Sequence, residues 1–153
     1  MANEQQYKLF TKFIATRGVE EYRSTISQCI QANDSILELG CEWGTTSAFL
    51  FAKCKNLIAT DISTECLQRA RQKHPQINFQ TLDAFDISSA LKFHTKFTKI
   101  YFDLSGFSVY RSLLDVISML HMYASVFQPE IIVIKSGSLK QFAKNCVAWK
   151  GSL

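Results

Sequence analysis

Long apolar runs are missing from this sequence. None approaches the roughly 20 residues that cross a bilayer, and the opening MANEQQYKLF carries no basic-then-apolar leader. No membrane span is expected, and a cytoplasmic location is. Proline is scarce, with two residues in 153, which argues against a proline-rich linker or long disordered segment. Paired cysteines are missing too: Cys29, Cys41, Cys54, Cys66 and Cys146 are odd in number and nowhere spaced C-x-x-C. That pattern suggests neither a disulfide framework nor a zinc site and suits a reducing compartment. His74, His94 and His121 share no metal-ligand spacing, so no metal is expected. Nor does charge of one sign dominate. The net charge of +4 favours approach to phosphate-bearing partners but falls far short of a dedicated nucleic-acid arm. The densest basic patch, Lys92, Lys96 and Lys99 in LKFHTKFTK, reads as a solvated loop or a phosphate contact. Repeats and interdomain linkers are absent as well, so residues 1–153 are expected to form one domain: N-terminal helices over 1–32 and an α/β core over 33–153.

What is present is ordinary globular usage, 47% hydrophobic and 20% charged. Apolar residues at Tyr7, Phe10, Phe13 and Ile14, then at Val19, Tyr22, Ile26, Cys29 and Ile30, recur at spacings of three and four. They predict two amphipathic helices broken near Gly18. From Ile36 onward short apolar strands alternate with helical segments: ILEL, NLIATD, INFQTLD, TKIYFDL and PEIIVIKS are the strands. Five strands separated by helices imply right-handed crossovers and a parallel, doubly wound sheet with helices on both faces. Ligands of such sheets bind beyond the carboxyl ends of the strands.

Those ends carry charge. Glu38 falls near the end of the first of the five strands, Asp61 at the second, Asp83 after the third, Asp103 near the fourth and Lys135 at the fifth. Acids after strands often cap the next helix, yet every strand here delivers a charged group to one rim. In SILELGCEWGTTSAFLF, Gly40 permits a tight turn and Gly44 a close approach of ligand or helix to the backbone, next to free N–H groups at a helix start. Asp61 lies about 20 residues on, where a carboxylate can accept both hydroxyl protons of a ribose. A glycine turn followed by such an acid suggests an adenosine-bearing ligand. Both G-x-G-x-x-G and G-x-x-x-x-G-K-[ST] are absent, which weakens dehydrogenase and nucleotide-hydrolase readings.

LELGCEWGTTS resembles the first motif, E/D-x-G-x-G-x-G, of the class I S-adenosylmethionine-dependent methyltransferases. The resemblance runs through most of the chain and implies strand order 3-2-1-4-5, short of the family's last two strands. It implies S-adenosylmethionine as cofactor, with Glu38, Gly40, Cys41, Glu42 and Gly44 at its methionine part, Asp61 and Ile62 at ribose and adenine, and Asp83, Ala84 and Phe85 lining the adenine. Glu42 stands where the family has its middle glycine; its side chain either clashes with the cofactor or contacts the cationic amino group. With no further strands, EIIVI is left as an apolar edge, expected to be covered by residues near Trp149, by a partner chain or in a homo-oligomer.

Asp103 and Lys135 are the catalytic candidates. They match two of the four positions of the Lys-Asp-Lys-Glu tetrad of RNA 2′-O-ribose methyltransferases, where a lysine beside an acid helps deprotonate a hydroxyl. The acceptor is accordingly a small molecule or RNA. A binding or regulatory module that keeps the cofactor site without turnover is the alternative of another class. Cys41 has a backbone role or, at a helix start, a lowered pKa. Trp43 packs over the cofactor or wedges between helix and sheet, Phe107 and Tyr110 line an acceptor pocket or the core, and His121 belongs to a helix surface or the core.

Overall fold

The computed structural model describes residues 9–104 and 113–148. Twelve elements follow one another among them: β1 (Lys12–Thr16), α1 (Val19–Cys29), β2 (Ile36–Leu39), α2 (Thr45–Lys53), β3 (Leu57–Asp61), α3 (Thr64–Lys73), β4 (Asn78–Thr81), α4 (Ile87–Leu91), β5 (Lys99–Phe102), α5 (Leu113–Phe127), β6 (Ile131–Lys135) and α6 (Gly137–Asn145). The strands form one sheet in the order β1-β6-β5-β2-β3-β4, every pair parallel. Read from the other side, the five strands from β2 onward keep the expected order 3-2-1-4-5, and a sixth extends it.

That sixth strand is the main correction. Residues around Phe13 and Ile14, expected to be helical, form β1 along the outer edge of β6, in register from Lys12 opposite Ile131 to Thr16 opposite Lys135. The Thr11 hydroxyl donates to the Pro129 carbonyl at 2.7 Å, and that of Thr16 to the Ile134 carbonyl at 3.1 Å. KFIAT is rich in strand-forming residues, and satisfying the open amides of β6 outweighs a spacing of three and four read over so short a stretch. The chain's own N-terminal segment thus takes the edge assigned to residues near Trp149 or a partner; Trp149 lies outside the described residues.

Two apolar layers flank the sheet. Tyr22 and Ile26 of α1, Leu50 of α2 and Leu67 and Ala70 of α3 pack with Ile36, Ala59, Tyr101 and Val133 on one face. Met119, Leu120 and Tyr123 of α5 pack with Leu37, Leu39, Ile100, Phe102, Ile132 and Ile134 on the other. β2 and β5 are buried along their whole length, as expected of strands covered on both faces. No helix among the described residues is long and apolar enough to cross a membrane.

Lys99 departs from the solvated patch expected of it. It is 4% exposed at the start of β5 and pairs with Asp34 at 3.1 Å and with Glu130. Burial disfavours its charge, but the two carboxylates outweigh that and raise its pKa. This cluster closes the end of the sheet opposite the rim; Lys92 and Lys96 remain exposed.

Candidate functional site

Strand alternation decides which side chains meet at the rim. Ile36 lies on the α1–α3 face, Leu37 and Leu39 on the α5 face, so Glu38 turns toward α1 and α2. Tyr101 and Val133 share that face. By the same parity so do Asp103 and Lys135, and since Phe102 pairs with Ile134 they are the next residues in register. Their side chains form an ion pair at 2.6 Å, each less than one fifth exposed.

The turn after β2 closes this arrangement. The N–H groups of Gly40 and Cys41 both donate to the Thr60 carbonyl, at 2.8 and 2.9 Å. Gly40 has φ +81°, and a Cβ on it would lie 1.9 Å from the Asp103 carbonyl oxygen. Gly44 has φ +76° and caps α2, where a Cβ would lie 2.8 Å from the Phe79 ring. Only glycine meets both demands. Glu42 between them also adopts a left-handed backbone, φ +50°, at a cost of about 1–2 kcal/mol for a side chain. Its N–H donates to Asp61 Oδ2 at 2.9 Å, while Asp61 Oδ1 accepts from Ser63 N–H at 2.8 Å. The position thus keeps a glycine-like backbone and its exposed side chain stands at the cleft rim.

The resulting cleft is lined by Glu38, Gly40, Cys41, Glu42, Asp103 and Lys135, all foreseen, and by Val19, Arg23, Trp43, Thr45 and Thr46. Glu38 is fully buried. Its Oε2 accepts the Ser47 hydroxyl at 2.5 Å, and its Oε1 is buried with no hydrogen-bond partner. Burial raises its pKa to about 7 against the pull of the Ser47 hydroxyl; the Asp103 and Asp61 charges add to the rise and the Arg23 guanidinium opposes it. Cys41 is buried, and burial followed by the charges of Glu38 and Asp61 pushes its thiol far up. The expectation of a lowered pKa there is reversed, and the thiol stays protonated.

The other expected residues do not line this cleft. Asp61 reaches it through the Glu42 amide. Ile62, 66% exposed, follows β3; Phe85, 39% exposed, follows β4 with Asp83, whose Oδ1 accepts the Phe85 N–H at 2.9 Å. Ala84 is buried between them, its carbonyl accepting the Tyr123 hydroxyl at 2.9 Å. Because β3 and β4 are adjacent, these residues occupy the neighbouring stretch of the same rim. Trp43 is 41% exposed and lies against the cations of Arg69 and Lys73 on α3, at 5.4 and 5.2 Å. Phe107 and Tyr110 lie outside the described residues, His121 is on the surface of α5, and no group of three metal-ligating side chains occurs among the described residues.

Arg23 is the residue that reading strand ends missed. It stands on α1, outside every motif of the sequence, and reaches the cleft because α1 packs beside α2. Its Nε donates to Thr46 Oγ1 at 3.1 Å, and its guanidinium lies 5.2 Å from the centre of the Phe49 ring.

A family described as a methyltransferase domain matches residues 36–129. No curated protein matches the chain. Among solved structures, Streptomyces venezuelae DesVI is 16% identical with a TM-score of 0.59, over 76% of this chain and 51% of that one. The sugar N-methyltransferase of a Streptoalloteichus species is 15% identical with a TM-score of 0.51, over 66% and 39%. A Plasmodium falciparum dimethyladenosine transferase is 18% identical with a TM-score of 0.51, over 71% and 38%. These likenesses concern the fold, and the chain spans about half of each neighbour's length or less.

Proposed function

The chain belongs to the methyltransferase-domain family, and from that premise we propose that it binds S-adenosylmethionine at this rim and transfers the methyl group to an acceptor held beside Asp103 and Lys135. The observation that carries the reading is Glu38: a fully buried carboxylate in a polar cleft, with one oxygen left without a donor. An unpaired buried acceptor is costly, and the cationic amino group of the cofactor's methionine part supplies the missing donor. Gly40 and Gly44 keep the backbone beside Glu38 free of side chains. Asp61 holds the ribose through the lone pairs left by its two amide contacts, and Ile62 and Phe85 present exposed apolar surface to the adenine.

When bound, the cofactor supplies an electrophilic methyl group on a sulfonium. The protein's task is then chiefly to hold an acceptor atom in line with it. The buried Glu38, the closed turn and the paired Asp103 and Lys135 fix the walls of the cleft, which suits that task. The Asp103–Lys135 pair also favours an acceptor that loses a proton, because a carboxylate held at 2.6 Å from an ammonium is positioned to take part in proton movement at the rim. RNA ribose hydroxyls are one such acceptor, and the pair is the observation favouring that second reading. The fold does not choose among acceptors, since structures named for a sugar amine and for adenosine share it.

Titration with S-adenosylmethionine, followed by methyl transfer from labelled cofactor to small-molecule and RNA acceptors, tests the proposal. Saturable binding and label in an acceptor support it; binding without transfer leaves the non-catalytic module; a folded protein that binds nothing refutes both. Asp61→Ala is expected to weaken cofactor binding by about 1–3 kcal/mol through a lost charge-assisted hydrogen bond, while circular dichroism stays unchanged. An unaltered titration curve removes Asp61 from the site.

A further inference from the structure

Pairing with β6 moves the open edge of the sheet outward without closing it. β1 is the last strand in the order β1-β6-β5-β2-β3-β4, so among the described residues one side of it meets no strand. Parity decides which peptide groups face that side. Lys12 N–H donates to the Glu130 carbonyl, and the Thr16 carbonyl accepts from Ser136 N–H. Lys12, Ile14 and Thr16 therefore turn their peptide groups to β6, and Phe13 and Ala15 turn theirs to the open side. The usual edge protections are missing: KFIAT holds no proline, no bulge interrupts its register, and its one charge sits at one end. The same corner is apolar. Phe10 and Phe13 are exposed, and α6 lies against β1 with none of its residues buried and Phe142 exposed. Clustered exposed apolar groups of this kind mark an interaction surface.

We propose that this edge pairs with the same edge of a second copy of the chain, antiparallel about a two-fold axis at Ile14, to give one sheet continuous through both copies. The segment is complementary to itself. With the axis at Ile14 all five residues of β1 pair: Lys12 faces Thr16 of the second copy, Phe13 faces Ala15, and Ile14 faces Ile14. Lysine never meets lysine, a large ring meets a methyl group, and the peptide groups left open at Phe13 and Ala15 form the hydrogen-bonded pairs. Another protein's strand would find the same peptide groups without this match of side chains. The axis stands perpendicular to the sheet, so each face stays on its own side across the join. Ala15 packs on the α5 face, and Phe13, two residues away, shares it. Both Phe13 rings and both α6 helices therefore flank the join on one face. A short edge buries less than the roughly 800 Å² per partner of a stable interface, and the unburied α6 beside it supplies further area. The inference is independent of the cofactor reading, since neither Phe13 nor Ala15 lines the cleft.

Sedimentation equilibrium of the full chain over a range of concentrations tests this. Wild type is expected to be dimeric at roughly 100 μM, and Ala15→Pro to raise the dimer dissociation constant roughly tenfold or more. The proline deletes one outward N–H and leaves every donor to β6 in place, so circular dichroism should stay unchanged. Cross-linking reads the register. In a Cys146→Ser background, which removes the exposed thiol, Ile14→Cys sets two thiols across the axis in a non-hydrogen-bonded pair, Cα atoms about 4.5 Å apart, within disulfide reach. Glutathione disulfide should convert that variant to a covalent dimer. Lys12→Cys is more exposed but lies four residues of strand, about 13 Å, from its counterpart, and should not cross-link. A wild type that stays monomeric at that concentration, a folded Ala15→Pro variant as dimeric as wild type, or cross-linking at position 12 as efficient as at position 14 overturns the inference. Should Ala15→Pro fail to fold, the two cysteine variants decide alone.

Discussion

Gly40→Ala is expected to lower the free energy of unfolding by about 3 kcal/mol or more, the sum of a left-handed backbone that disfavours any Cβ and a steric overlap the structure cannot absorb cheaply. Gly40 has φ +81°, and the added carbon would lie 1.9 Å from the carbonyl oxygen of Asp103 and 2.9 Å from its carbonyl carbon. Both obstacles are backbone, so no rotamer change relieves them. Either the turn or the end of β5 must move, and the end of β5 is where Asp103 meets Lys135. A second consequence follows: whatever fraction of the variant folds should bind cofactor more weakly. Urea denaturation measures the first effect directly. A variant within about 0.5 kcal/mol of wild type would show that the turn is not packed against β5 as described.

Glu38→Gln is expected to make the empty protein more stable at pH 8 and to weaken cofactor binding about 100-fold, two effects of opposite sign from one charge. In the folded protein Glu38 titrates at about 7, raised chiefly by burial; in the unfolded chain its pKa is near the ordinary 4.3. The folded state therefore holds this proton to higher pH. Its contribution to stability is fully present below about pH 4, declines as pH rises through the folded pKa, and by pH 8 amounts to a loss of about 4 kcal/mol. Glutamine keeps the shape and can still bond Ser47, but carries no charge to desolvate. The variant should thus match wild type at pH 4 and exceed it at pH 8 in denaturation experiments. In binding the order reverses, because a cationic amino group gains from the ionised carboxylate. Wild-type affinity should rise from pH 6 to pH 8 with proton release, and the variant's should not. A variant that is less stable than wild type at pH 8 would mean that the Glu38 charge is already compensated in the empty cleft. Stability held back at a binding residue is a common cost of function.

Much of the lining of this cleft is legible in the sequence. Glu38, Asp103 and Lys135 sit at strand ends in a chain whose strands and helices alternate cleanly, and parity along a strand brings them to one face. Gly40 and Gly44 announced the turn, which the positive φ angles bear out. Glu42 could not be settled from the sequence, because its two outcomes differ only in where its side chain points from a left-handed backbone. Arg23 was out of reach for another reason: its place depends on the packing of α1 against α2, a tertiary contact with no local signature. The same holds for β1. The strand-forming residues of KFIAT are too few to outweigh the helical spacing until β6 offers an unpaired edge, and a parallel pairing across more than a hundred residues leaves no trace in local periodicity. Lys99 shows the converse error, a lysine near other lysines that the fold buries with Asp34 and Glu130.

The crystal structure of the complex with S-adenosylhomocysteine measures the central claim most directly. The account predicts the amino-acid group against Glu38, the backbone of residues 40–44 alongside it, and the ribose hydroxyls on Asp61. Ligand density elsewhere on the molecule, or a cleft that stays closed around Glu38 at saturating ligand, would contradict it.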